Sequence, residues 1–305
     1  MADRNAIART PQPDARPGWK LRLEDRLGLL DPIQLVVYRS FGTGDALHIR
    51  GRVVERKAIE GTTEETPTWR NILNTWHRLE SDEIPGATIR ARIGGRSWDT
   101  TSDGEGYFVF DLDPAEPFGP GWHDVQLELV ATPVGVAAQR TVPAPVLVPA
   151  ADAEFAVVSD IDDTVIRSRA TRRIEQLAIL FRKGAGTRTP FAGVPSLYRA
   201  LARGPDDRGV NPIFYVSRSG WNLYDLFDEF LELHGIPAGP LFLSDLRIIE
   251  DASTVVSGRH HKFESIDMLV RTYPELPFVL IGDSGQEDPE LYRQIACARP
   301  RARPG

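Results

Sequence analysis

A single cysteine, Cys297, stands in 305 residues, so the chain closes no internal disulfide and builds no thiolate metal cluster. No apolar run approaches the roughly 20 residues that a spanning helix needs. The N-terminal stretch MADRNAIARTPQPDARPGWK has no apolar core of the kind a secretory signal requires, and the expected compartment is the cytoplasm. Basic residues are in the minority, with 36 Lys and Arg against 43 Asp and Glu. The net charge of −7 argues against a nucleic-acid partner and against broad attraction to anionic lipid, though not against a local basic patch. Internal repeats are absent. What remains is an ordinary soluble composition, 41% hydrophobic and 26% charged, in a chain long enough for two domains.

The pattern changes character near the middle. Residues 1–20 read as a flexible polar tail. Within 21–150, the runs IQLVVYRS, LHIRGRVVER, ATIRARIGG, GYFVFDL and HDVQLELVA alternate or stay apolar over short lengths, with Gly, Pro and Asp turns between them. Only 69–79 looks helical, so this half is expected to be an antiparallel β-sandwich-like domain. VPAPVLVPAA, 142–151, reads as its last strand running into a stiff connector. From 151 to 298 short apolar strands alternate with helical patterns. FAVVS, IFYVS, PLFLS and FVLIGD are the strands; 172–183, 194–203, the run from Trp221 to Gly235, 261–273 and the segment from Pro289 are the helices. That alternation predicts α/β architecture with a parallel sheet flanked by helices. Residues 299–305 form a short basic C-terminal tail.

Ligands of open parallel sheets bind beyond the carboxyl ends of the strands. After FAVVS come Asp160, Ile161, Asp162, Asp163 and Thr164; IFYVS ends in Ser217 and continues with Arg218; His261 and Lys262 stand before a helix; FVLIG leads to Asp283 and then Asp288. Three carboxylates within four positions are costly without a cation. Carboxylates without a His or Cys cluster suit a hard ion such as Mg²⁺, with Asp160 and Asp283 each able to give one oxygen. Alternation turns Ile161 away and leaves Asp160 and Asp162 on one side. One of the two can act as nucleophile and the other as general acid and base, while a lysine and a serine hydroxyl suit a transferring phosphoryl group. Asp288, ahead of Pro289, also reads as a helix N-cap.

Together DIDDT, the Ser217 strand, Lys262 and GDSGQED resemble the four motifs of the haloacid dehalogenase (HAD) superfamily. More narrowly, SDIDDT, FYVSRSGW, HHKFESI and FVLIGDSGQEDPELY resemble the catalytic region of the App1-like phosphatidate phosphatases. The chain departs from that pattern at Gly220, where proline is usual. The resemblance implies a HAD-like Rossmannoid domain and a Mg²⁺-dependent phosphatase. In it Asp160 forms an aspartyl-phosphate and Asp162 is the acid/base and a backbone ligand of the metal. Ser217 bonds the phosphoryl oxygens, Lys262 neutralises charge, Asp283 completes the metal site and Asp288 orients it. Thr164 and Arg218 complete the expected substrate-binding set. Asp163 has no assigned role.

The gaps between motifs leave no room for a large cap, so an open site is expected, suited to lipid headgroups or macromolecules. The insertion RSRATRRIEQLAILFRKGAGTR, 167–188, carries seven basic residues against Glu175 and places Ile174, Leu177, Ala178 and Phe181 on one helical face. Such a helix either lies on an anionic bilayer, making the protein peripheral to the membrane, or packs on the domain while its arginines steer an anionic substrate. His48, His77, His123, His260 and His261 read as ordinary hydrogen-bonded or exposed residues, and Asp103–Gly106 as a hairpin turn. The substrate expected from the resemblance is phosphatidate or another lipid phosphate. The alternatives are a phosphatase for a soluble or protein-borne phosphate, and a non-catalytic anion-binding module whose β domain recruits a partner.

Overall fold

The structure, a computed structural model, describes residues 26–27, 32–55, 83–135, 141–161, 193–205, 207, 209–244, 254–282 and 288–298. Both predicted tails, the predicted helix at 69–79 and the basic insertion at 167–188 lie outside these residues.

The described residues of the first half form eight strands: β1 (Ile33–Val37), β2 (Ser40–Gly42), β3 (Leu47–Glu55), β4 (Thr88–Ile93), β5 (Arg96–Thr101), β6 (Tyr107–Leu112), β7 (Gly121–Ala131) and β8 (Thr141–Val148). Alternation along β3 shows the cause. Leu47, Ile49 and Val53 are buried, while His48, Arg50 and Arg52 between them are half-exposed. Hydrogen bonding joins all eight strands into one sheet, where the sequence suggested two facing layers. The stitch is β2, which pairs antiparallel with β3 and parallel with β8. Side chains from β1, β3, β4, β6, β7 and β8 share a single core. The sequence reading missed β5, because its residues RSWDTT face mostly outward and carry no apolar signal. Its pairing with β4 is set by Gly94 and Gly95, whose φ values of 51° and 80° make the tight hairpin turn that glycine permits. The predicted turn at Asp103 is present, with Asp103 Oδ1 accepting hydrogen bonds from the N–H groups of Glu105 and Tyr107.

The second half holds β9 (Ala156–Asp160), β10 (Ile213–Gly220), β11 (Leu241–Ser244) and β12 (Phe278–Ile281), paired in parallel in the order β11-β10-β9-β12. Four described helices accompany them: α1 (Val194–Arg203), α2 (Tyr224–Leu233), α3 (Thr254–Thr272) and α4 (Asp288–Ala298). One face of the sheet packs Val157, Tyr215 and Leu243 against α1 and α2. The other packs Val158, Phe214 and Phe242 against α3 and α4. Cover on both faces explains why β9 and β11 are buried throughout and read as unbroken apolar runs.

The two halves are joined by more than the connector. Between β1 and β2 the chain passes beside β11, an edge strand of the parallel sheet. Tyr38 enters the core on the α1/α2 face, and Phe41 enters the core on the α3/α4 face. Arg39, between them, donates its N–H to Tyr224 Oη at 2.6 Å and pairs with Asp228. Tyr273 Oη donates to the carbonyl of Gly42 at 2.9 Å. The first domain thus covers an edge that would otherwise be a template for unwanted pairing. Because Tyr38 and Phe41 belong to the second domain's cores, the halves are expected to unfold in one transition. Phe41→Ala should lose about 3–5 kcal/mol, measured by urea denaturation followed by circular dichroism.

Candidate active site

Asp160 is the last residue of β9, and strand pairing decides what lies beside it. Val216 of β10 is its partner in register, so Ser217 follows on the adjacent strand, about 4.8 Å away in strand spacing. Asp160 lies 1% exposed and Lys262 of α3 3% exposed, with Lys262 Nζ 2.7 Å from Asp160 Oδ2. The lysine stem runs through packed interior and delivers only its ammonium head to the carboxylate. Helix α3 is fixed for this by Ile266 and Leu269, buried under the sheet, and by contact of His261 Nε2 with the carbonyl oxygen of Phe242 at 3.4 Å.

Two expectations are corrected. Helix α3 begins at Thr254, ahead of the start expected near 261, so Lys262 lies well inside it and not at or before its start. The segment TVVSGRHH has no apolar periodicity to announce a helix, so the sequence reading began it late. Ser217 does not end its strand either, since β10 continues to Gly220 with a shift of register against β11 between Val216 and Gly220. That irregularity is where the site residues sit. Ser217 is fully buried, and its Oγ accepts a hydrogen bond from the N–H of Ser219 at 2.9 Å. Ser244, ending β11, donates its hydroxyl to the carbonyl of Arg218 and lies 3.3 Å from that of Ser219. Arg218, between them, is half-exposed.

A second support lies on the opposite face of β9. Ser159 Oγ is hydrogen-bonded to Tyr198 Oη of α1 and lies 3.1 Å from the carbonyl oxygen of Asp160. Burial pushes the Tyr198 phenol up to about 12, and the nearby Asp160 charge adds to the shift. The phenol therefore stays protonated at neutral pH. The sequence reading passed over Ser159, Tyr198 and Ser244. Their signal was the rarity of a hydroxyl inside an otherwise apolar strand, as in AVVSD and LFLS.

Asp162, Asp163, Thr164 and Asp283 lie outside the described residues, as does the side chain of Asp288, whose backbone begins α4. Strand β12, which leads toward Asp283, pairs β9 with Ile281 opposite Ser159. Among the described residues no three His, Cys, Asp or Glu side chains gather as a metal site. The histidines have other partners: His48 Nδ1 is 2.7 Å from Asp111, and His260 Nε2 is 2.9 Å from Glu264 one helical turn away. Asp111 is held below the usual carboxylate range by its hydrogen bond with His48.

Removing either member of the buried pair strands the other charge. Lys262→Met should therefore cost about 3–5 kcal/mol of stability, read by denaturant titration. Ser244→Ala should cost about 1–3 kcal/mol by leaving buried carbonyls short of a donor. In that variant the β10–β11 end, and not the β domain, should show the faster amide exchange.

Residues 155–302 match the family model described as "Phosphatidate phosphatase APP1, catalytic domain". The chain is similar to phosphatidate phosphatase APP1 of Saccharomyces cerevisiae, 28% identical over 145 residues, which covers 47% of this chain and 24% of that protein. It is also similar to an uncharacterized protein of Schizosaccharomyces pombe, 26% identical over 156 residues, covering 48% and 23%. The chain thus spans about a quarter of the length of these curated relatives. Among solved structures, a carbohydrate acetylesterase from Xanthomonas citri aligns at 11% identity with a TM-score of 0.28, over 84% of this chain and 62% of that one. The segment that carries Asp160, Ser217 and Lys262 matches the catalytic domain of the App1-like phosphatidate phosphatases.

Proposed function

We propose that this protein is a Mg²⁺-dependent phosphatase that hydrolyses a phosphomonoester through an aspartyl-phosphate on Asp160, with phosphatidate or another lipid phosphate as substrate. The observation that carries this reading is the buried Asp160–Lys262 pair beside Ser217, at the strand ends of a domain with App1-like kinship. An ammonium 2.7 Å from the carboxylate favours its ionised form, which is the nucleophilic one.

In the proposed reaction an Asp160 oxygen bonds to phosphorus as the ester P–O bond breaks. Asp162 gives its proton to the leaving alkoxide. It then takes a proton from water, whose oxygen attacks phosphorus and breaks the acyl-phosphate bond. Inorganic phosphate leaves, and Asp160 returns as a carboxylate. Lys262 balances the charge on Asp160 and on the transferred group, and Ser217 donates a hydrogen bond to a phosphoryl oxygen. Arg218 and Thr164 are assigned to the same oxygens. The donors Asp160, Asp162 and Asp283 are all oxygen, with no imidazole or thiolate cluster among the described residues, and fit Mg²⁺. When bound there, the ion supplies positive charge to the phosphoryl oxygens. Asp288 is assigned to orient that site. The lipid substrate rests on the relatives' name alone. No described helix is long and apolar enough to cross a membrane; peripheral contact with a bilayer is assigned to 167–188.

Phosphate release from phosphatidate in mixed micelles, p-nitrophenyl phosphate and several soluble monoesters tests the reading. Release should stop with EDTA, return with Mg²⁺ and fall roughly 10⁴-fold in Asp160→Asn. Release confined to soluble esters would retire the lipid. A wild type inactive on the whole panel would replace the reaction with anion binding. For the insertion, Leu177→Ser with Phe181→Ser should impair hydrolysis in vesicles and spare a soluble ester; equal loss on both would count against membrane contact.

A further inference from the structure

The β domain touches the second domain at a point close to its chemistry. Directly after Ser217, Arg218, Ser219 and Gly220 comes a single 3-10 turn, Trp221–Leu223, which leads into α2. Trp221 is 4% exposed, and two of its neighbours come from the first domain. The Tyr38 ring stacks on it with centroids 4.5 Å apart and planes 23° from parallel. The Arg50 guanidinium carbon lies 5.0 Å from the indole centroid, a cation–π distance. Tyr38 and Arg50 are themselves linked, the N–H of Tyr38 donating to the Arg50 carbonyl at 3.0 Å. The tryptophan is held from its own domain by Tyr224, whose ring centroid is 6.3 Å away.

Arg50 is the informative member. Its Nε is buried and has no hydrogen-bond partner among the described residues. Arg39, Arg52, Arg90 and Arg92, also in the β domain, each have a carboxylate within ion-pair distance, and no such pair is made by Arg50 among the described residues. A guanidinium with a buried, unsatisfied N–H is costly to keep. Across the domain boundary the Arg50 guanidinium faces the indole ring. The stretch it steadies is where β10 loses its regular register, between Val216 and Gly220. Ladder pairing is therefore interrupted at the residues assigned to the phosphoryl group. Ser244 braces the stretch from the β11 side, and Trp221 ends it.

We propose that Tyr38 and Arg50 are positioning residues: by holding Trp221 they fix the Ser217–Gly220 stretch, so that the β domain is a working part of the phosphatase site. Neither residue lies in 155–302, the segment matched to the catalytic-domain family. The inference rests on the function proposed above, because it assumes that Ser217 and Arg218 handle the phosphoryl group. Displacement of such groups by as little as an ångström slows a reaction by up to about 100-fold. That sensitivity is why a remote clamp shows in kcat.

The test uses the full chain with Tyr38→Leu, Arg50→Met and Tyr38→Phe. Hydrogen exchange is read for peptides covering 216–223, and kcat and KM for Mg²⁺-dependent hydrolysis of p-nitrophenyl phosphate. Tyr38→Leu and Arg50→Met should raise exchange at 217–223 and lower kcat roughly tenfold with little change in KM. Exchange in β3, β7 and β9 should stay as in the wild type, and Tyr38→Phe, which keeps the stacked ring, should restore both readouts. Unchanged exchange at 217–223 in both disruptive variants would overturn the proposal. So would a rise shared by every strand, which reports lost folding, or a local rise with kcat intact. If the wild type releases phosphate from no ester, the phosphatase reading falls, and exchange at 217–223 alone decides whether the clamp exists.

Discussion

A carboxylate and an ammonium, 2.7 Å apart and almost sealed from solvent, set the terms for this molecule. Withdrawing two ions from water costs several kcal/mol each, by order of magnitude, and their attraction offsets this only when the geometry is tight. A packed apolar pair would serve stability as well or better, so stability does not explain Asp160 and Lys262. The proposed reaction does: in it a carboxylate at a parallel strand end, beside a fixed cation, serves as the nucleophile. The surrounding architecture answers to that need. Helix α3 must lie where its lysine reaches β9, and β9 must be central, so that neighbours on both sides deliver residues to its end.

Hydroxyl groups do the fine positioning. Ser159 and Tyr198 brace the Asp160 backbone from one face, and Ser244 braces Arg218 and Ser219 from the next strand. A hydroxyl suits this task because it bonds a carbonyl inside an apolar interior without adding a charge to desolvate. The irregular end of β10 is the place where main-chain pairing gives way to such side-chain support.

The change of composition near residue 150 does not keep the packing of the two halves apart. Tyr38 and Phe41 occupy cores of the second domain, on opposite faces of its sheet, and Arg39 engages α2 between them. Burial pushes the phenols of Tyr38, Tyr224 and Tyr273 well above their ordinary range, as expected of rings sealed into an interface. Such an interface resembles the inside of a domain more than a surface where two modules slide. It places first-domain side chains beside Trp221, four residues beyond Ser217.

Local pattern was enough to divide the chain into a β-rich half and an α/β half, because alternation and helical period report directly on which faces are buried. It also singled out Asp160, Ser217 and Lys262, which the fold brings to neighbouring positions, and it placed most described strands to within a few residues. It could not see β5, whose residues face water and whose existence depends on a partner strand. Nor could it find the true start of α3, the run of β10 past Ser217, or the hydroxyls of Ser159, Tyr198 and Ser244. Those are settled by pairing register and by packing across long stretches of chain. The meeting of Asp160 with Lys262 spans 102 positions and that of Arg39 with Asp228 spans 189. Contacts at such separation leave no periodic trace in either segment, so only the folded chain decides them.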